Sequence, residues 1–175
     1  MLAAMDPKEP ASTNRTSKKF NPLRLWPAML FLLAMVLIRL SPSFIEEGPD
    51  MLPLIAAMGP IICSLLILIW WLTASRATGL ERLMGLVGLT AFSALTFSLS
   101  DKSMQSPATM LVWTIPMGFA AFTIGAFVVR RWNTTKRTFV AIGIAALGLM
   151  FSILLRSNGM WGHAQIDLYW RWTPT

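Results

Sequence analysis

The sequence predicts an all-α fold: an integral membrane bundle of about five transmembrane helices, with the N-terminus cytoplasmic and the C-terminus extracytoplasmic. Three observations predict it. Met110 to Val129 is twenty residues without a charge, which as a helix rising about 1.5 Å per residue spans roughly 30 Å, the thickness of a bilayer's hydrocarbon core. Hydrophobic residues make up 55% of the chain and charged residues 13%, about half the share of roughly 25% usual in soluble domains, and the mean hydropathy is +0.59. Finally, basic residues cluster in alternate loops, the pattern that orients membrane helices.

Residues 1–22 are polar, with two prolines before Pro22 and four basic side chains but no apolar period, and are expected to form a disordered cytoplasmic tail. Residues 23–156 are expected to hold the five helices, and residues 157–175 an extracytoplasmic aromatic segment. The first span, near 24–41, is short. Fourteen uncharged residues lie between Arg24 and Arg39, and the stems of those two arginines extend it. It reads as an uncleaved anchor. A cleaved signal peptide competes, because Ser41-Pro42-Ser43 is small-x-small after an apolar core, but the region before it is unusually long.

The second span, near 52–74, contains Pro60, which either kinks a tolerant helix or marks a hinge or ligand cavity. Trp70 and Trp71 read as interfacial anchors beside Arg76. The third span, near 83–100, is rich in Ser and Thr and is expected inside the bundle. The fourth, near 109–130, and the fifth, near 138–156, carry small residues four apart: Ala121/Gly125, Ala141/Ala145 and Gly148/Ser152. That spacing lets backbones approach closely, either within one bundle, the preferred reading, or across a dimer.

Orientation follows from the loops. Eleven of the fifteen Lys and Arg residues fall in the tail with Arg24, the Arg76–Arg82 turn and the Arg130–Arg137 turn. Arg24, Arg76, Arg82, Arg130, Arg131, Lys136 and Arg137 are therefore the expected topology determinants. The net charge of +7 is accounted for by these loops and does not point to nucleic acid. No span carries a charged residue or His near its middle, which argues against a pump or ion-coupled transporter. A lipid or quinone contact stays open, since apolar and aromatic side chains alone can make one. Cys63 and His163 each stand alone, so no metal site, disulfide or catalytic set is expected. Glu46, Glu47, Asp50, Asp101 and Asp167 read as solvated carboxylates, and the chain alone is not expected to be an enzyme.

The last segment, SNGMWGHAQIDLYWRWTPT, offers Trp161, Tyr169, Trp170, Arg171 and Trp172 as membrane-interface or docking residues. Asn158-Gly159 reads as a turn. Arg24-Leu25-Trp26-Pro27-Ala28 and the stretch from Asp167 to Thr175 resemble the N-terminal membrane region of quinoprotein-like β-propeller proteins of planctomycetes. The five-span arrangement is similar to the anchor of membrane-bound quinoprotein dehydrogenases. The resemblance implies a multi-pass protein of the bacterial inner membrane, the anchor of a truncated or split propeller protein. It would hold an extracytoplasmic β-propeller domain or partner at the membrane and pass electrons to a quinone. Pyrroloquinoline quinone would enter only with a propeller, and no propeller repeat or cofactor ligand of that family has a position in these residues. The alternative is a self-standing small multi-pass protein that acts as a bundle partner or a lipid or solute binder. The bilayer is a partner on either reading.

Overall fold

A computed structural model describes residues 24–45, 49–132, 134–161 and 165–173. The expected tail, Glu46, Glu47 and His163 lie outside them. Helix α1 spans Trp26–Phe44, α2 Leu52–Thr73, α3 Gly79–Leu99 and α4 Pro107–Val128; α5 spans Thr134–Phe151 and tightens into a 3₁₀ turn at Ser152–Leu154. Five helices are thus long and apolar enough to cross a membrane. The chain then forms two antiparallel strands, β1 (Leu155–Trp161) and β2 (Gln165–Trp170). The all-α expectation is corrected by this hairpin. It takes the final residues of the expected fifth span and the aromatic segment beyond.

Two helices begin earlier than the uncharged runs do. Helix α3 starts at Gly79 because Thr78 and Glu81 form a capping box. The Glu81 amide donates to Thr78 Oγ1 at 3.3 Å, and the Thr78 amide to Glu81 Oε2 at 2.8 Å, which satisfies two otherwise orphaned donors. Helix α5 likewise takes in Lys136 and Arg137. Charge marks where an apolar rod ends, not where its helical hydrogen bonding ends.

Pro42, in the last turn of α1, cannot donate to the Ile38 carbonyl four residues back. The Ser41 hydroxyl donates to that carbonyl instead, at 2.8 Å. The small-x-small triplet that suggested a cleavage site is therefore helical, and its serine repairs what its proline breaks.

Helices α4 and α5 pack most closely, because small residues face each other. A Cβ added to Gly148 would overlap that of Ala121, and one on Gly125 would lie 3.0 Å from Ile144 Cβ and 3.2 Å from Ala141 Cα. The small-residue pairs are thus used within the bundle, as preferred. Leu32, Met35, Cys63 and Ile67 seal α1 against α2. Trp70 and Trp71 are not interfacial anchors. Both are buried in the main core, where the Trp71 ring meets Phe122 edge-on at 4.8 Å and lies against Gly85.

Helix α3 is not the interior helix its Ser and Thr content suggested. It lies at the bundle's edge, packed chiefly on α5, with Leu83, Val87, Leu95 and Phe97 exposed. Thr90 and Ser98 do not need the interior, since they donate to their own helix at Leu86 and Leu95, whereas Thr96 is fully buried.

Candidate functional site

The hairpin sits at the end of the bundle where α5 finishes, over the loop between α3 and α4, with β2 also packed against α2. The Ser157 amide donates to Ser103 Oγ at 3.1 Å, and the Phe151 ring meets Trp170 edge-on at 6.0 Å. The Arg171 amide donates to the Leu154 carbonyl at 2.9 Å, which extends the strand ladder by one pair. Ser103 is itself held by Asp101, whose Oδ1 accepts from the Ser103 amide at 3.0 Å and hydroxyl at 2.9 Å. Those two hydrogen bonds, with Arg171 and Arg156 nearby, hold the Asp101 carboxyl below its ordinary range. Asp101 is largely solvated, as expected, and it also organises the loop on which the hairpin rests.

Asn158-Gly159 is not a hairpin turn. The two residues sit opposite Asp167 as a bulge within β1, and Gly159 takes a φ of 121°, a conformation glycine adopts readily. The residues joining the strands, 162–164, lie outside the described ones.

The docking residues divide. Trp170 and Trp172 stack, with ring centroids 5.2 Å apart and planes within 13° of parallel. Tyr169, Trp170, Arg171 and Trp172 are all exposed. The Trp161 side chain lies outside the description, though its backbone belongs to β1. The result is a stacked, exposed Trp170–Trp172 pair at the end of β2, with Tyr169 exposed on the opposite face of the strand.

The expected topology determinants gather at the opposite end. Arg24, Arg76, Arg130, Arg131 and Lys136 are exposed there, and Arg82 is half-buried. Arg24 and Arg130 flank a groove of about 720 Å³ between α1 and α4. Arg137 differs from the rest. Its side chain is 5% exposed and forks onto Glu81, 4% exposed, with Nη2 at 2.6 Å and Nε at 3.2 Å from Oε1; the Thr138 hydroxyl adds a contact at 3.2 Å. This ion pair ties the start of α3 to the start of α5.

A feature that the sequence reading marked only through Pro60 lies near the hairpin end, between α1, α2 and α4. Met110–Thr114 forms a π-helical turn, with the Ile115 amide bonded to the Met110 carbonyl five residues back. Pro116 follows at once, and a widened turn relieves the clash its ring would make with a preceding carbonyl. Trp113, on that turn, lies under the Arg39 guanidinium of α1, 4.9 Å from the ring centroid. Beside the pair is a cavity of about 190 Å³ reaching to Pro60 and Ala120. Its sequence signals were Arg39 at the edge of an apolar run and a proline in each of two spans.

Among the described residues no three of His, Cys, Asp and Glu come together to hold a metal. Pyrroloquinoline quinone is a planar tricarboxylate that needs several converging cations. The cavity offers one, Arg39, so these residues do not fit that group. The chain matches no protein-family model, no curated protein and no solved structure.

Proposed function

We propose that this chain is a multi-pass anchor of the bacterial inner membrane, whose aromatic hairpin is a docking platform for an extracytoplasmic domain of the β-propeller class. The observation that carries the reading is the hairpin's attachment. A strand pair kept only to lie among headgroups has no need of a loop contact through Ser103 and a ring contact at Phe151. With these contacts made, the stacked Trp170–Trp172 pair stays exposed, and Tyr169 is exposed on the opposite face of β2. Ordered aromatic side chains of this kind dominate binding surfaces, because they bring large area at low entropic cost.

The charge pattern supports the orientation. On this reading the basic end of the bundle faces the cytoplasm, with the N-terminus inside, and the hairpin end faces out. On this reading any transfer of electrons to a membrane quinone begins in the docked domain, and this chain supplies position.

The test is a photo-crosslinking residue in place of Tyr169, expressed in cells. The expected product is a covalent adduct with an extracytoplasmic propeller protein, lost when Trp170 and Trp172 are both replaced by Ser. Adducts with lipid alone would contradict the docking role.

A further inference from the structure

We propose that the cavity between α1, α2 and α4 is a binding site for the head-group end of one acyl chain carrying an anionic head, its first carbons seated in the cavity and the rest in the surrounding lipid, with Arg39 as the head-group ligand. The walls are almost wholly apolar. Met35, Pro60 and Val112 form the deep side, while Val36 and Leu40, both exposed on the bundle surface, form the mouth. An opening there admits a ligand from the surrounding lipid, without passage through water. Met35 and Met117 line the slot, and their unbranched thioethers adapt to a flexible chain better than branched side chains do.

The head-group end is set by Arg39. Its guanidinium lies on the Trp113 face, and among the described residues no ion pair or hydrogen bond engages its five N–H donors. A ring face stabilises the charge but accepts no conventional hydrogen bond from those donors. A carboxylate or phosphate at the mouth would accept two in parallel.

The π-helical turn that accommodates Pro116 also shapes this place. The π-helical turn rotates Trp113 relative to the rest of α4, by about 100° for one inserted residue, and such turns recur at functional sites. Pro60 and Pro116, from two helices, both border the cavity. The cavity lies beside the hairpin's end of the bundle but shares no residue with the docking face. Its occupancy therefore stands or falls independently of whether a propeller docks.

The experiment is native mass spectrometry of the full chain released from detergent, titrated with oleate, with oleyl alcohol and with phosphatidylglycerol against phosphatidylcholine. The expected result is one oleate per chain, oleyl alcohol bound at least ten-fold more weakly, and oleate affinity reduced at least ten-fold in Arg39→Gln. Arg39→Lys should retain most of it. Val36→Trp, which fills the mouth from the lipid side, should abolish binding. Displacement of oleate by phosphatidylglycerol but not phosphatidylcholine identifies a bilayer lipid as the natural source; its absence identifies a free fatty acid. Equal oleate binding by wild type and Arg39→Gln, or undiminished binding by Val36→Trp, would overturn the proposal, with circular dichroism showing that each variant is folded.

Discussion

Glu81 serves two structures at once, capping α3 through the Thr78 amide and neutralising Arg137 on α5. Removing one member of a buried pair leaves the other charge uncompensated, which costs about 3–5 kcal/mol. Glu81→Gln should lower stability by about that much in a denaturation series on micellar protein. Glu81→Leu combined with Arg137→Met should recover most of the loss and retain a cap deficit of about 1 kcal/mol. The capping box was legible as Thr78 followed by Glu81 at the right spacing, yet both were assigned to a turn because charge was taken as the boundary. The partner was not legible, since fifty-six residues separate it from Glu81. Asp101 gives a pH dependence. Its carboxyl titrates lower when folded than the unfolded value of about 3.9, so its contribution is complete above about pH 4 and is lost as pH falls through the folded value. Amide exchange in β1, corrected for intrinsic rates, should therefore rise in strongly acidic solution, and in Asp101→Asn the hairpin should be less protected at every pH.

Among the elements, the α4–α5 pair is where sequence and structure agree most closely. Ala121, Gly125, Ala141 and Gly148 are small because backbone meets backbone there, and a four-residue spacing shows this directly. Gly148→Leu should cost about 1–3 kcal/mol or more through overpacking, measured in the same denaturation series, whereas a leucine at Gly143, which faces open space, should be nearly neutral. Helix α3 was less legible. Its hydroxyls suggested burial, but a Ser or Thr that donates to its own helix is satisfied on either side. The hairpin was least legible, because strand pairing depends on a partner segment. Trp161 and Tyr169 through Trp172 showed aromatic density, and only the fold shows that Ser103 and Phe151 hold the segment in place. Ser103→Ala should raise exchange at Ser157 several-fold while leaving the helices intact by circular dichroism.

The whole molecule is asymmetric between its ends. Seven of the cations in the described residues lie at one end with Glu81 as the only carboxylate there, and the other end has Arg39, Lys102, Arg156 and Arg171 beside Asp50, Asp101 and Asp167. The number and order of helices and the sign of this asymmetry were legible, since both follow from uncharged runs and the loops between them. Of the cavity only Pro60 was legible, as a proline that could mark one; the rest of its wall comes together only where α1, α2 and α4 meet. Arg137 also needs a revised role: in the folded protein Glu81 cancels its charge, so Arg130, Arg131 and Lys136 carry the exposed positive charge of that turn. Neutralising those three should scramble orientation without unfolding the bundle. The central claim is that the helices cross the membrane with the hairpin outside, and one measurement tests it most directly. In a Cys63→Ser background, Thr173→Cys beside the hairpin and Ala74→Cys at the basic end are exposed to a membrane-impermeant maleimide in intact cells. The account predicts labelling of the first without permeabilisation and of the second only after it; the reverse pattern, or equal labelling of both in intact cells, would contradict it.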